Sequence, residues 1–194
     1  MKFVAVVELD NWVDQFNPRE CAESAISELK HVVRLYKQCH TIDSWVFSLT
    51  YDTCYSSHLD ALNELGVQLQ PKDCTDPLSA FFELVTHSLP PTQDSSLKLG
   101  IIRLVANKKE CGSTMIDPMI SNHVQQGHHY SRNQPSLFND SLDIQIMNFD
   151  VLKEAWQEAL LPDDRIKITP YIYRQQQRLN LGIFPCAPST ILHV

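Results

Sequence analysis

Short apolar runs alternate with amphipathic stretches along the chain, a pattern typical of strands that alternate with helices. The first run, Lys2 to Val7, is apolar at nearly every position, as expected for a central strand buried on both faces. In the following stretch, 17–38, apolar residues recur three or four positions apart, and Asn17, Pro18 and Glu20 form a cap, a first turn and a capping-box acid. The pattern therefore predicts a strand that leads into a helix.

The same order of elements continues to residue 176. Predicted strands span 44–49, 67–69, 97–105 and 142–147. Predicted helices span 55–65 and 77–85, begin at Asp117 with Pro118, run from a cap at Asn148 or Asp150 to a stop at Pro162, and cover 171–176. Gly66 is the expected C-cap of one helix, Asp76 the expected N-cap of the next, and Thr169 with Pro170 the expected start of the last. This β-α-β-α order predicts a three-layer α/β/α domain over 1–194 with a mostly parallel sheet.

Composition and charge narrow the possible partners. The net charge of −7 and the pI near 5.5 argue against nucleic acid and anionic membranes, which are bound through basic patches. No apolar run approaches the ~20 residues of a membrane span, and the N-terminus meets acidic residues too soon for a signal peptide. The six cysteines show no C-x-x-C spacing, so reduced thiols are expected. A cytoplasmic protein is the simplest interpretation.

Three segments near the C-terminal end carry a family resemblance. Residues 138–145 read FNDSLDIQ, residues 152–159 read LKEAWQEA, and residues 164–173 read DRIKITPYIY. This order resembles the acylneuraminate and spore-coat-polysaccharide cytidylyltransferase family, whose members load a nucleotide monophosphate onto an acidic or modified sugar. Upstream, IIRLVAN at 101–107 and MIDP at 115–118 are similar to the family's R-L-T-G-D and P-L-I-D-P segments. The resemblance implies a nucleotide-diphospho-sugar transferase fold.

The chain departs from that family where the phosphates should bind. In the family, a glycine-rich basic loop after the first strand holds the nucleotide's phosphates, and its glycines allow the backbone to approach phosphate oxygens closely. Here no glycine occurs before Gly66, and Glu8, Asp10 and Asp14 follow the first strand instead. Like charges a few ångströms apart repel by roughly 1 kcal/mol in water and about 4 kcal/mol at the effective dielectric of a protein surface. Triphosphate binding in the family's mode is therefore disfavoured.

The positions that hold Mg²⁺ in the family have also changed. Asn107 stands where the family's R-L-T-G-D strand ends on a metal-binding aspartate, and Gln145 replaces the carboxylate of the D-V-E strand. An amide oxygen can ligate Mg²⁺ but brings no charge, so the affinity should fall. The alternative is that Mg²⁺ is still held, by Asp143 together with Glu8 and Asp10.

Other polar residues are candidates for binding a ligand. The carboxyl ends of parallel strands form the usual ligand cleft, and the residues expected there are Glu8, Asp10, Tyr51, Asp52, Asn107 and Asp143. The predicted substrate-binding residues are Asp143, Gln145, Asn107, Arg103 and Arg165. Lys108 and Lys109 are candidate phosphate-binding residues, or else part of a solvated loop. Arg165, Arg174 and Arg178 could form an anion-binding face, or pair with Asp163 and Asp164. His123, His128 and His129 are expected in a polar surface loop, with Gly127 interrupting the helix between them.

The sequence is compatible with two functions. The first is a degenerate, non-catalytic protein that needs no cofactor and binds a sugar or nucleotide-sugar, or serves as a partner subunit, in polysaccharide or nonulosonic-acid metabolism. The alternative is an active, Mg²⁺-dependent cytidylyltransferase with altered phosphate and metal groups. The family uses its C-terminal arm in dimers, so the resemblance also implies a homodimer contact through 135–178.

Overall fold

The computed structural model describes residues 1–10, 22–51, 59–71, 74–89, 98–105, 113–134 and 143–185. Its strands are β1 (Lys2–Glu8), β2 (Ser44–Tyr51), β3 (Val67–Pro71), β4 (Leu99–Val105), β5 (Tyr130–Asn133), β6 (Asp143–Asn148) and β7 (Leu181–Phe184). Its helices are α1 (Ala22–Tyr36), α2 (Leu59–Glu64), α3 (Pro77–Ser88), α4 (Ser113–Gln125), α5 (Phe149–Glu158), α6 (Pro162–Arg165) and α7 (Pro170–Arg174).

The seven strands form one sheet in the order β3-β2-β1-β4-β6-β5-β7. β1 lies at its centre and pairs in parallel with both β2 and β4. β6 is antiparallel to both of its neighbours, β4 and β5, whereas β7 is parallel to β5. The sheet is therefore mixed around one reversed strand, as part of the three-layer α/β/α fold expected from the sequence.

Two separate cores cover the two faces of the sheet. Alternate residues of β1 divide between them: Ala5 and Val7 pack with α1, α2 and α4, while Val4 and Val6 pack with α3, α5 and α7. All four side chains are at most 1% exposed. A strand whose neighbours both pair in parallel and whose two faces are both covered needs an apolar side chain at every position, which explains the continuous apolar run in the sequence.

Most predicted element positions agree with the structure. Gly66 has φ +73°, a left-handed conformation that favours glycine, and it lies two residues after Glu64, the last residue of α2. Asp76 caps α3 by accepting a hydrogen bond from the backbone N–H of Ser79 at 3.0 Å. Thr169 is the N-cap residue of α7, but its side chain makes no capping bond. The predicted cap at 17–20 lies outside the described residues.

Two predictions were wrong. Helix α4 begins at Ser113, before Asp117, and Pro118 lies inside it. A proline there removes one helical hydrogen bond, and burial of Met119 and Ile120 in the core on the same turns offsets that loss.

Within the described ranges, no helix is long and apolar enough to cross a membrane.

The second error concerns the histidines. His123 is only 1% exposed, lies on α4, and makes hydrogen-bonding contacts with Ser131 at 2.8 Å and Asn148 at 3.2 Å. It is a buried link between α4 and strand β5, which the hydrophobic pattern did not predict, and not part of a surface loop. Burial lowers the pKa of His123, with the nearby His128 as a smaller contribution in the same direction.

Candidate functional site

A cleft of about 570 Å³ opens at the carboxyl edge of β1, β2 and β4. The floor is the sheet face that packs on α3, and the walls are α3 and the segment from Ile166 to Tyr173. The polar residues that line it are Glu8, Asp10, Ser48, Thr50, Gln70, Arg103, Arg132, Asp143, Gln145, Lys167, Thr169 and Tyr173. This is the edge where the sequence placed a ligand cleft.

Four side chains form a continuous polar row across the floor. Arg103 donates from Nε and Nη2 to the two carboxylate oxygens of Glu8, each at 2.6 Å. Its Nη1 donates to the amide oxygen of Gln145 at 3.3 Å, and the Gln145 amide nitrogen donates to Asp143 at 2.7 Å. The row therefore joins three adjacent strands, β1, β4 and β6, through side chains alone.

The reversed direction of β6 puts Asp143 at this edge. Asp143 is the first residue of β6 and lies opposite Val105, the last residue of β4, which in turn lies opposite Glu8. In a parallel strand of the same length, the first residue would lie roughly 17 Å away at the other edge. The sequence analysis placed Asp143 at this edge by the rule for the carboxyl ends of parallel strands, which does not apply to the first residue of a strand; the antiparallel pairing of β4 with β6 is what brings it there.

The two carboxylates at and just after the end of β1 in the cleft, Glu8 and Asp10, are both bound by other groups of the protein. Glu8 is neutralised by Arg103, and both side chains are only 19% exposed. Asp10 accepts a hydrogen bond from the backbone N–H of Thr50 at 2.6 Å. The sequence predicted that Glu8 would repel phosphate. In the structure Glu8 and Arg103 neutralise each other, so phosphate meets neither a free carboxylate nor a free guanidinium at the centre of the cleft. Asp14, the third acid in that expectation, lies outside the described residues.

Arg132 is a cleft residue that the sequence analysis missed. It lies on β5 opposite Gln145, and its guanidinium carbon is 5.5 Å from the centre of the Tyr173 ring. Tyr173 is held by a hydrogen bond of 2.9 Å to the hydroxyl of Tyr130; burial and then this bond raise the pKa of Tyr130. In the part of the chain that the structure describes, Arg132 has no acidic partner. The sequence signal was weak, since β5 is only four residues long.

Carboxylate and amide oxygens in the cleft do not fit a resident Mg²⁺ ion. Both oxygens of Glu8 bind Arg103, and one oxygen each of Asp10 and Asp143 already accepts a protein hydrogen bond. Across the described ranges, no three acidic, histidine or cysteine side chains are grouped closely enough to hold a metal ion. The proposed ligand set of Asp143, Glu8 and Asp10 therefore does not converge by itself.

Arg165 lies outside the cleft lining and has a structural role. Its Nε donates to Asp76 at 2.7 Å, its Nη2 to Ser79 at 2.7 Å, and its Nη1 to the carbonyl oxygens of Trp156 and Ala159 at 3.1 and 2.9 Å. These bonds join α6 to the start of α3 and the end of α5. Burial opposes the shift, but the Ser79 N–H and the Arg165 guanidinium hold the pKa of Asp76 below its usual range.

The other two arginines of the predicted anion-binding face also pair internally. Arg174 forms an ion pair with Asp164, and Arg178 forms one with Glu154. The alternative interpretation, pairing with local acids, therefore describes Arg174 correctly, while Arg178 uses a different acid. Asn107, Lys108, Lys109, Asp52 and the side chain of Tyr51 lie outside the described residues.

Comparisons with solved structures identify the fold. A cytidylyltransferase from Leptospira borgpetersenii is 14% identical, with a TM-score of 0.65 over 97% of this chain and 77% of the other. A CMP:2-keto-3-deoxy-manno-octonic acid synthetase complexed with CTP is 11% identical, with a TM-score of 0.59 over 97% and 91%. A putative glucose-1-phosphate thymidylyltransferase from Bacillus anthracis, in complex with a sucrose, is 11% identical, with a TM-score of 0.56 over 96% and 87%.

These similarities establish the nucleotide-diphospho-sugar transferase fold and nothing finer, because the identities are low. No protein-family model matches the chain, and no curated protein matches it either.

Proposed function

We propose that this protein binds a sugar acid, free or as part of a nucleotide-sugar, in the cleft and does not transfer a nucleotide. The observation that carries the proposal is the Glu8–Arg103 pair. It places an internal carboxylate on the central cation of a cleft where a nucleotidyltransferase needs free cations and a metal site. The amides at Asn107 and Gln145, where the family has carboxylates, support the same conclusion.

The other end of the cleft suits an acidic sugar. Arg132 offers a planar guanidinium with no acidic partner in the described residues, and Lys167 lines the same cleft. Ser48 and Thr50 on β2 and Gln70 on β3 line the opposite side of the cleft from Arg132, and they add side-chain donors and acceptors of the kind that pair with sugar hydroxyls. A guanidinium that can bind a carboxylate through two parallel hydrogen bonds selects for an acid group on the ligand.

Thermal-shift measurements test the proposal directly. N-Acetylneuraminic acid and 3-deoxy-manno-octulosonic acid, each tried with and without CMP, should raise the melting temperature of the wild-type protein, because a ligand that binds only the folded state stabilises it. Arg132→Gln should remove that response. Arg34→Gln is the matched control, since Arg34 is an exposed arginine on α1, away from the cleft. The proposal fails if no sugar acid stabilises the wild type, or if the two variants respond alike.

A specific observation favours the active enzyme as a second candidate. Asp143 is exposed in the cleft, and only one of its carboxylate oxygens accepts a hydrogen bond from the described residues. The free oxygen could bind Mg²⁺ that arrives with a nucleotide. In that case CTP with Mg²⁺ would stabilise the protein more than CTP alone, and Asp143→Asn would abolish the difference.

We also propose that a second copy of the chain covers an apolar surface on the 135–178 arm. Leu160 and Leu161 are adjacent in the chain and 86% and 54% exposed, and neighbouring exposed apolar side chains mark a candidate contact surface. Light scattering should give the mass of a dimer, and Leu160→Glu should give that of a monomer. A monomeric wild-type protein at working concentration would contradict this proposal.

A further inference from the structure

We propose that Glu8 is a built-in counter-anion that occupies Arg103 and so decides which anions the cleft accepts. With Glu8 in place, the centre of the cleft excludes phosphate; without it, Arg103 becomes a phosphate-binding residue. Glu8 is thus a specificity-determining residue of the ligand site. The inference rests on the proposal that the cleft is that site.

The contact geometry is that of an arginine bound to an external oxyanion. Two parallel N–H···O bonds of 2.6 Å join Nε and Nη2 of Arg103 to the two oxygens of Glu8. Arginine binds carboxylates and phosphates through the same planar fork of donors, so one oxyanion on this edge excludes another. Gln145 accepts from Nη1 at 3.3 Å and occupies the adjoining edge of the guanidinium.

The positions of the two residues let Glu8 compete with dissolved anions for Arg103. Glu8 ends β1 and Arg103 lies on β4, the next strand, two residues before the partner of Glu8 in the register. Both side chains therefore lie on the same face and are diagonal neighbours. Since the carboxylate belongs to the same chain, its effective concentration at Arg103 is far above that of any dissolved phosphate. Each side chain is 19% exposed, so water screens their attraction only in part.

A contrast within the cleft supports the assignment. Arg132 faces the same space but has no carboxylate partner in the described ranges, and Tyr173 packs against its guanidinium instead. One cation of the cleft is thus closed by an internal anion and another is open. An added anion can therefore reach Arg132 without displacing a carboxylate of the described residues, whereas at Arg103 it must displace Glu8.

Inorganic pyrophosphate is the probe for the test, without metal, measured by isothermal titration calorimetry and by thermal shift on the full chain. Glu8→Gln keeps the size of the side chain and removes its charge. We expect its affinity for pyrophosphate to exceed that of the wild type by about tenfold or more, because a fixed like charge beside the binding cation is removed. Glu8→Ala should show the same gain, and Glu8→Gln combined with Arg103→Gln should lose it.

Glu64→Gln is the matched control, because Glu64 is an exposed acid on α2 and its loss changes the net charge equally. A gain of the same size in Glu64→Gln would overturn the inference, since net charge alone would explain it. The inference is also overturned if pyrophosphate stabilises neither Glu8→Gln nor Glu8→Ala. In that case the proposed function still stands, because its own test uses sugar acids on the wild type.

Discussion

Arg103 and Arg165 were predicted to share a role in substrate binding, and each forms an ion pair with an acid, but only Arg103 does so inside the cleft. Arg103 lines the cleft and is paired with an acid that a ligand would have to displace. Arg165 lies outside the lining and binds two side chains at the start of α3 and two carbonyl oxygens at the end of α5. Family resemblance located both positions along the chain, but the role of each depends on which acceptors the fold brings to it.

The largest expected effect is on stability at Arg165. Arg165→Met should lower the free energy of unfolding by about 2–3 kcal/mol, because it removes the ion pair with Asp76, whose carboxylate keeps only its bonds from Ser79, and leaves two carbonyl oxygens without their side-chain donor. Urea denaturation measures this loss. Arg34→Met, at an exposed site on α1, should stay within about 0.5 kcal/mol of the wild type. The distinction between the two arginines breaks down if Arg165→Met is equally stable but loses its response to sugar acids.

A double-mutant cycle at Arg103 and Glu8 should give a smaller energy. We expect a coupling of about 1–2 kcal/mol in unfolding free energy between Arg103→Gln and Glu8→Gln, since the pair is bidentate and both side chains are mostly buried from water. Additive effects of the two substitutions would mean that the pair is not formed in solution. The proposed closure of Arg103 would then have no basis.

Stability at acid pH depends on His123, a buried residue outside the cleft. Burial lowers the pKa of His123, so the folded protein binds that proton less readily than the unfolded chain, whose histidines titrate near 6.5. By linkage, stability falls as the pH drops below about 6.5 towards the folded-state pKa. In urea denaturation at pH 7 and 5.5, His123→Gln should lose less stability between the two pH values than the wild type does.

His128 contributes in the same direction, because burial and then the neighbouring His129 lower its pKa, so the variant should retain part of the dependence. His31→Gln, at an exposed position on α1, controls for the loss of one imidazole. An unchanged pH dependence in His123→Gln would show that this histidine is not buried as described.

The sequence predicted the three-layer fold because burial on both faces leaves a strong pattern. β1 is apolar at consecutive positions and α3 carries its own N-cap and proline, so both follow from local chemistry. β5 and β7, each four residues long, leave no comparable pattern, and they were missed. Pro118 was placed at a helix start because proline is favoured there, whereas tertiary packing holds it inside α4.

The site was harder to predict because it depends on contacts between distant residues. Glu8 and Arg103 are 95 positions apart, and only the β1–β4 register brings them together. The sequence therefore identified Glu8 as a source of repulsion and Arg103 as a ligand-binding residue, without their mutual pairing. The position of Arg132 in the cleft was not predicted either, because it depends on the order of strands in the sheet.

In our proposal the cleft binds its ligand without transferring a nucleotide. Pyrophosphate release, measured on the wild-type protein with CTP, Mg²⁺ and each of the two sugar acids, distinguishes ligand binding from nucleotide transfer. We expect no release above that of a protein-free control. Release that depends on the sugar acid and disappears in Asp143→Ala would contradict it.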